Sequence, residues 1–196
     1  DYMSRKYKEL IFPKDYEIWK HFKHVQIAFS VDNTKERFEY ERYGANWAET
    51  NINICKIVDL MLVHKYPISI QLCVTWNIQN IFYLGELLTW AKTLFTDIHF
   101  NLMHDPWEMS IGCVPAFAIG DILFYLQKMQ IEHSDYADQI DSLKKFMVTE
   151  SSEKPTQLKV DNGKPLHAKL RQADLYRNQN FADSHPEMAK VIKYER

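Results

Sequence analysis

Glycine is scarce in this sequence, and its scarcity excludes two common kinds of nucleotide site. The chain has 196 residues and 5 glycines, with neither a Gly-x-Gly-x-x-Gly run nor a Walker-type loop. Both motifs need closely spaced glycines so that the backbone can approach phosphate. We therefore expect neither a dinucleotide fingerprint nor a P-loop in this chain.

Cysteine is also rare, and its distribution is unlike that of a disulfide framework or a zinc site. Cys55, Cys73 and Cys113 are odd in number, far apart, and embedded in apolar segments. Disulfide scaffolds and zinc sites usually have paired cysteines at short, regular spacings. The pattern predicts three reduced thiols in the core.

The sequence has no excess of basic residues and no long apolar run. Its 24 Lys and Arg and 26 Asp and Glu give a formal net charge of -2, and 46% of the residues are hydrophobic. Broad phosphate binding needs clustered cations, and a bilayer-spanning helix needs about 20 apolar residues. The polar, charged start of the sequence is unlike a secretory signal. We expect a cytoplasmic protein that binds neither nucleic acid nor a membrane.

Three segments have the alternation of half-buried strands. They are residues 25–32, 68–77 and 98–104, in which apolar and polar side chains alternate. Successive side chains of a strand point to opposite faces, so each segment has one apolar and one polar face. In the second segment the apolar face consists of Ile68, Ile70, Leu72, Val74 and Trp76, and the polar face of Ser69, Gln71, Cys73, Thr75 and Asn77.

Amphipathic segments follow the first two strands, which is typical of parallel strands with helices packed outside them. The apolar faces then pack on helices, and the polar faces line a lumen or crevice. Ligands of such sheets bind at the carboxyl ends of the strands. The side chains expected at that rim are Ser30, Asp32, Thr75, Asn77 and Asn101.

The rest of the chain reads mostly as helices. We predict helices over 15–24, 46–64, about 81–95, from 115 onward, 134–150 and 166–176, with a polar loop over 32–45. Residues 151–165 collect Ser, Lys, Pro, Asp, Asn and Gly and predict a mobile linker. We divide the chain into an α/β unit, 1–132, and a helical extension, 133–196, that contains this linker and a tail from 177.

Several runs resemble one enzyme family. The run 25–32 with 36–47 (Glu-Arg-Phe-Glu-Tyr-Glu-Arg-Tyr-Gly-Ala-Asn-Trp) is similar to the fourth-strand region of radical S-adenosylmethionine (radical SAM) enzymes, in particular the twitch-domain group of phages and marine bacteria. Residues 74–81 resemble the fifth-strand region, 101–106 the sixth, and 175–187 the carboxyl-terminal ending. The resemblance extends from about residue 5 to residue 190.

The resemblance implies a partial barrel of six parallel strands, a (β/α)6 relative of the TIM barrel. Family members hold a 4Fe-4S cluster through a Cys-x-x-x-Cys-x-x-Cys loop and bind SAM across the strand ends. Reductive cleavage of SAM then gives a 5'-deoxyadenosyl radical that abstracts hydrogen from the substrate. This chain lacks the cysteine loop and the family's glycine-rich motif. It corresponds to the carboxyl-terminal half, so we expect it alone to be inactive and to bind neither cofactor tightly, with the substrate unknown.

By the same resemblance, Ser30 and Asp32 match a pair near the ribose and methionine ends of SAM. Arg42 matches an arginine that pairs with the SAM carboxylate, and a guanidinium suits bidentate carboxylate recognition. One of Thr75 and Asn77 is expected to reach the ligand, and Asn101 lies where the adenine binds. The alternatives are a loop cap for Asp32, an ion-pair cluster for Arg42 and a helix cap for Asn77.

A second hypothesis is a noncatalytic α/β module that binds a small polar ligand or a protein partner. The two hypotheses differ in what precedes this sequence in the gene. The enzyme hypothesis expects the three-cysteine loop roughly 60 to 110 residues before Ser30, given the usual length of a barrel unit. A start codon at or near Met3 would exclude it.

Half a barrel leaves the edge of its first strand without a partner, and such edges pair with other chains. We therefore predict that the isolated 196 residues dimerise or aggregate, because the missing half of the barrel would normally cover that edge. Size-exclusion chromatography with light scattering measures this directly. A sharp monomeric peak would contradict the prediction.

Overall fold

The computed structural model describes residues 15–153 and 164–195 and has an α/β architecture with a three-stranded sheet. The strands are β1 (Val25–Ser30), β2 (Ile68–Trp76) and β3 (Ile98–Leu102), in the spatial order β1-β2-β3. The helices are α1 (Lys35–Glu41), α2 (Trp47–Leu62), α3 (Leu84–Ala91), α4 (Ile119–Glu132), α5 (Ala137–Glu153), α6 (Lys164–Arg177), α7 (Phe181–Ser184) and α8 (Pro186–Val191). Short 3-10 turns span Asp15–His21, Ile81–Tyr83, Trp107–Met109, Ile111–Cys113, Ala116–Ala118 and Ser134–Tyr136.

The sheet is parallel and has two different faces, as the alternation predicts. On β2 every apolar residue from Ile68 to Trp76 is buried, while the polar residues between them remain partly exposed. On β1 and β3 the positions that alternate with the large apolar side chains are exposed, and the apolar side chains themselves are partly buried. One face therefore packs on helices, and the other faces away from the core.

The register aligns the carboxyl ends of the three strands. Ser30 lies opposite Cys73, and Thr75 lies opposite Asn101. Because all strands run in the same direction, the residues that follow them meet at one edge of the sheet. Within the described part of the chain, β1 and β3 are the edge strands.

The apolar stripes expected on the helices are buried to different extents, and in α2 only Ile54 of Ile54, Ile57, Val58 and Met61 is fully buried. Helix α2 begins after Asn46, whose side chain accepts a hydrogen bond from Glu49 N at 2.9 Å and so caps the first turn. The stripe predicted for 81–95 is entirely buried, and in α5 the predicted inward positions Ile140, Leu143 and Met147 are buried as well. These side chains belong to a single apolar cluster that also contains the inner face of β2.

The predicted polar loop over 32–45 is wrong, because its centre forms helix α1. The error has a physical origin: charged residues dominate this stretch, yet Arg37, Phe38 and Tyr40 are buried. Phe38 packs edge-to-face on Trp47, with the ring centroids 5.3 Å apart. Tertiary packing of this kind stabilises a short helix that local sequence does not favour.

The carboxyl-terminal tail is also more ordered than its sequence indicates. Residues 151–153 and 164–165 of the predicted linker belong to α5 and α6, and the remaining linker residues lie outside the described part of the chain. After α6, the tail forms α7 and α8 and buries Phe181 and Met188.

Asp174 on α6 anchors this tail. Its Oδ1 accepts hydrogen bonds from Tyr40 Oη at 2.8 Å and Phe181 N at 2.9 Å, and its Oδ2 accepts one from Tyr194 Oη at 2.7 Å. The carboxylate is 2% exposed. A buried charge needs such partners to be tolerated, so the carboxylate fixes α6, α7 and the chain end against α1.

Two further features bear on the sequence expectations. The three cysteines are free, but Cys55 is exposed rather than in the core, while Cys73 and Cys113 are partly buried. Among the described helices, none combines the length and apolarity needed to cross a bilayer.

We predict that Asp174→Asn lowers the free energy of unfolding by about 2–3 kcal/mol, since an amide nitrogen cannot accept hydrogen bonds and leaves a buried donor unpaired. Urea denaturation followed by circular dichroism measures the loss. The matched control is Asp59→Asn, an exposed position on α2, which should change stability by less than about 0.5 kcal/mol. Equal stabilities of the two variants would show that Asp174 does not anchor the tail.

Candidate functional site at the carboxyl ends of the strands

Five of the six predicted site residues are joined by hydrogen bonds at the carboxyl rim, four of them around Arg42 and Asp32 and the fifth, Asn77, through Thr75. Arg42 Nη2 donates hydrogen bonds to Ser30 Oγ at 3.0 Å and to Asp32 Oδ2 at 2.9 Å. Asp32 Oδ1 accepts a hydrogen bond from Thr75 N at 2.7 Å. The sequence brings these groups together because Ser30 ends β1, Thr75 lies near the end of β2, and Arg42 follows the last residue of α1.

Asp32 is occupied by contacts within the protein. Both carboxylate oxygens accept hydrogen bonds, and the side chain is 15% exposed. Burial raises the pKa of Asp32, and the hydrogen bond from Thr75 N opposes that rise. Its immediate role is to tie the end of β1 to β2 and to hold the guanidinium of Arg42 over the rim.

Arg42 retains capacity for a ligand. Its side chain is 39% exposed, whereas its Nε is buried without a hydrogen-bond partner. A guanidinium presents five N–H donors in a planar fork, and Ser30 and Asp32 engage only one of its nitrogen atoms. The remaining donors suit an anion such as a carboxylate.

Asn77 has a structural position. It is 3% exposed, and its Oδ1 accepts hydrogen bonds from Gln79 N at 2.7 Å and Asn80 N at 3.3 Å. Its Nδ2 donates to Thr75 O at 3.1 Å. These contacts form the turn that leads from β2 toward α3, which is the capping alternative that the sequence left open.

Asn101 belongs to the exposed face of the sheet. It lies opposite Thr75 in the register, and its Oδ1 is 3.2 Å from His99 Nε2. No contact within the described residues joins it to Arg42 or Asp32, although its strand position puts it at the same rim.

Asn80 is a rim residue that is not among the predicted site residues. Its Nδ2 donates to Asp32 O at 3.1 Å and to Thr75 O at 2.8 Å. One amide therefore joins the ends of β1 and β2 through their backbone carbonyls. A polar residue soon after a strand end is the sequence signal for such a role, but nothing local specifies its partners.

A buried polar cluster lies beneath the rim, and sequence reasoning missed it. Glu41 Oε1 accepts a hydrogen bond from Asn33 Nδ2 at 2.7 Å and lies 3.7 Å from His185 Nε2. His185 is fully buried, stacks on Phe181 at 4.5 Å, and places its Nδ1 2.8 Å from Ser184 Oγ. Its Nε2 has no hydrogen-bond partner.

Glu41 and His185 are both uncharged near pH 6. Burial raises the pKa of Glu41 to about 7, more than the hydrogen bond from Asn33 lowers it. Burial, with a further contribution from the charge of Arg37, lowers the pKa of His185 to about 3. The short separation of these side chains therefore reflects two neutral groups rather than an ion pair.

Arg37 joins this buried cluster to α3. Its Nε donates to Asn33 Oδ1 at 3.3 Å, its Nη2 binds Glu86, and its guanidinium lies 4.3 Å from the ring centroid of Tyr83. Lys35 Nζ is 2.9 Å from Glu86. Burial raises the pKa of Glu86, but the hydrogen bonds from Lys35 and Thr34 outweigh it and leave the pKa below its usual value.

No group of three or more His, Cys, Asp or Glu side chains in the described residues is arranged to hold a metal ion. No protein-family model, curated protein or solved structure matches this chain. The functional interpretation therefore depends on the geometry of the rim.

We predict that Glu41→Gln stabilises the protein relative to wild type as the pH rises. Between pH 4.5 and about 7 the folded protein keeps a proton that the unfolded chain releases, so the contribution of Glu41 to stability falls across that window. Glutamine removes this loss, and the difference in unfolding free energy, variant minus wild type, should grow by about 3 kcal/mol from pH 4 to pH 8.

Urea denaturation at a series of pH values measures that difference. Glu49→Gln, at an exposed position of α2, is the control and should give a curve parallel to wild type. His185 acts in the opposite direction, since its stabilising contribution is lost as the pH falls from 6.5 toward 3. A constant difference for Glu41→Gln would show that folding does not shift the pKa of Glu41.

Proposed function

We propose that this chain forms the carboxyl-terminal half of a radical SAM partial barrel and supplies part of the SAM pocket. The observation that carries the proposal is the linked set of Ser30, Asp32, Arg42 and Thr75 at the carboxyl rim of an exposed polar sheet face. Three parallel strands with helices on one face and polar side chains on the other have the layout of part of a barrel wall, and polar positions of β1 and β3 would face the lumen.

The rim residues fit the methionine end of SAM. The partly exposed guanidinium of Arg42 is suited to the ligand's α-carboxylate. Ser30 Oγ accepts a hydrogen bond from the guanidinium, and Thr75 N donates to the Asp32 carboxylate. The hydroxyl groups of both residues can donate to and accept from ligand hydroxyl groups. Asp32 acts as a positioning residue, because both of its oxygens are engaged.

The residues present do not fit an iron-sulfur cluster. Cys55, Cys73 and Cys113 are widely separated in sequence, and the described residues contain no metal-binding group. The cluster, which with SAM would supply the radical chemistry, would have to be held by another part of the protein. In our proposal this chain binds and orients SAM and exposes a polar wall to the substrate.

A noncatalytic module that binds a small polar ligand is the second candidate. The hydrogen bonding within the rim favours it, since the side chains of Asp32, Asn77 and Asn80 all bond to protein groups. The two candidates differ in whether SAM binds at Arg42 and whether the whole protein assembles a cluster.

We predict that the full-length protein encoded by this gene, purified anaerobically and reconstituted with iron and sulfide, binds SAM, and that Arg42→Gln weakens this binding about tenfold to a hundredfold. Removing a charge-assisted, bidentate contact costs about 1.5–3 kcal/mol. Equilibrium dialysis with labelled SAM measures the affinity. Arg42→Lys, which keeps the charge but lacks the planar fork, should give an intermediate loss.

The matched control is Arg171→Gln on α6, where the arginine is exposed and should not affect SAM binding. Thermal unfolding of each variant shows whether the fold is retained. Cluster absorbance without SAM binding, or SAM binding unaffected by Arg42→Gln, would contradict the proposed pocket. Binding of a polar ligand at Arg42 in a protein that assembles no cluster would favour the noncatalytic module.

A further inference from the structure

A second concave surface lies on the helical side of the molecule, away from the residues of the proposed SAM pocket. It is a groove of about 560 Å³ between α4 and α8. This volume is within the range of small-molecule sites, which is about 300–1,000 Å³. We refer to it as the α4–α8 groove.

Exposed aromatic rings line the groove. Phe124 is 78% exposed and Phe117 is 42% exposed, although both are phenylalanines of an ordered helical segment. Behind them, Phe82 stacks on Tyr125 with the ring centroids 4.7 Å apart and the planes 17° from parallel. Two large apolar side chains thus face solvent above a packed aromatic surface, which is a feature of ligand and partner sites.

Hydrogen bonds fix the positions of the aromatic residues Tyr125 and Tyr83 behind the exposed phenylalanines. Tyr125 Oη accepts a hydrogen bond from Gly85 N at 2.9 Å, which joins α4 to α3. Tyr83 Oη donates to Glu187 at 2.9 Å and accepts from Met188 N at 3.2 Å, which joins the start of α8 to the turn before α3. The groove is therefore preformed, and a ligand would lose little free energy in ordering it.

Lysines border the same groove. Lys128 extends from α4, Lys190 from α8, and Lys193 from the residues that follow α8. Lys193 Nζ lies 4.6 Å from the ring centroid of Phe117. Lys128 is 3.5 Å from Glu132, whereas Lys190 and Lys193 form no ion pair with a carboxylate of the described residues.

The carboxylates of Glu187 and Asp121 also line the groove, and a neighbouring group stabilises the negative charge of each. Glu187 accepts the hydrogen bond from Tyr83, and Asp121 lies in the first turn of α4, where the helix dipole stabilises negative charge. Because Lys128 pairs with Glu132, the cations that form no ion pair with a carboxylate of the described residues are Lys190 and Lys193, at the α8 end of the groove.

We propose that the α4–α8 groove binds a small amphipathic anion, a flat or apolar group joined to a phosphate, sulfonate or carboxylate. The apolar part would pack on Phe124 and Phe117, and the anionic part would bind Lys190 and Lys193. Cation–π contact with Phe117 already orients the Lys193 ammonium at the groove. A nucleoside phosphate and a fatty acid both have this chemistry.

The test uses the fluorescent aryl sulfonate 1-anilinonaphthalene-8-sulfonate as the probe and the full chain as the protein. We expect saturable binding to the native protein. The pair of changes Lys190→Gln and Lys193→Gln should weaken it about tenfold or more, because two charge-assisted contacts are lost, and should reduce its salt dependence. Phe124→Ser should weaken it about fivefold through loss of apolar contact.

Matched controls on the same surface separate this site from nonspecific adsorption. Ile131→Ser removes an exposed apolar side chain, 74% exposed, from the same helix but outside the groove. Lys169→Gln removes an exposed charge from α6. Neither control should change the affinity by more than about twofold, and thermal unfolding verifies that each variant folds.

Competition distinguishes the two sources of the anion. Displacement of the probe by ATP would assign the groove to nucleoside phosphates, and displacement by oleate would assign it to fatty acids. Absence of saturable probe binding, equal losses in Ile131→Ser and Phe124→Ser, or failure of both competitors would overturn the proposal. Loss of probe binding in Arg42→Gln, with no loss in the Lys190→Gln and Lys193→Gln pair, would place the probe at the carboxyl rim and would also overturn the proposal.

Discussion

The structure depends on a parallel sheet in which helices cover one apolar face and the opposite, polar face is left exposed. Parallel sheets usually have both faces covered, because their crossover helices pack on each side. Here the helices cover the apolar face of β2, while Gln26, Ser30, His99 and Asn101 remain exposed on the edge strands. This arrangement is stable in water only because the uncovered side chains are polar and hydrated. It also leaves a wall of hydrogen-bonding groups that leads to the rim.

The rim is held by polar contacts with precise partners. Asp32 joins β1 to β2, and the amide of Asn80 bonds to carbonyl groups at the end of each strand. Beneath them, Glu41 and His185 are buried and uncharged near pH 6, so the cluster avoids the large cost of unpaired buried charge. Asp174 accepts hydrogen bonds from Phe181 and Tyr194 of the tail and from Tyr40 of α1. The tail is thus coupled to the rim through α1, which carries both Tyr40 and Glu41.

The sequence predicts the parts of this structure that depend on local periodicity. The three strands and most long helices have apolar stripes of the correct period, and strand ends are where polar side chains converge in parallel sheets. The rim positions of Ser30, Asp32 and Thr75 follow from that rule. Helix α1 does not follow from it, because its apolar residues are few and are buried by distant partners.

The polar clusters depend on contacts between residues far apart in the chain. Tyr40 bonds to Asp174 across 134 positions, and Tyr83 bonds to Glu187 across 104. No local pattern in the tail indicates that His185 would lie beside Glu41. A buried histidine and an exposed one look the same in sequence, so only the folded geometry identifies the uncharged pair.

The geometry also changes which rim residue is the better candidate for ligand recognition. From sequence, the carboxylate of Asp32 and the guanidinium of Arg42 are equally suitable polar groups. In the structure both oxygens of Asp32 are bonded to protein donors, and a ligand could recruit them only by breaking those bonds. Arg42 is partly exposed, and Ser30 and Asp32 engage only one of its nitrogen atoms, so an anionic ligand could bind the guanidinium without breaking those bonds. Recognition of an anionic ligand at this rim should therefore depend on Arg42, with Asp32 fixing its position.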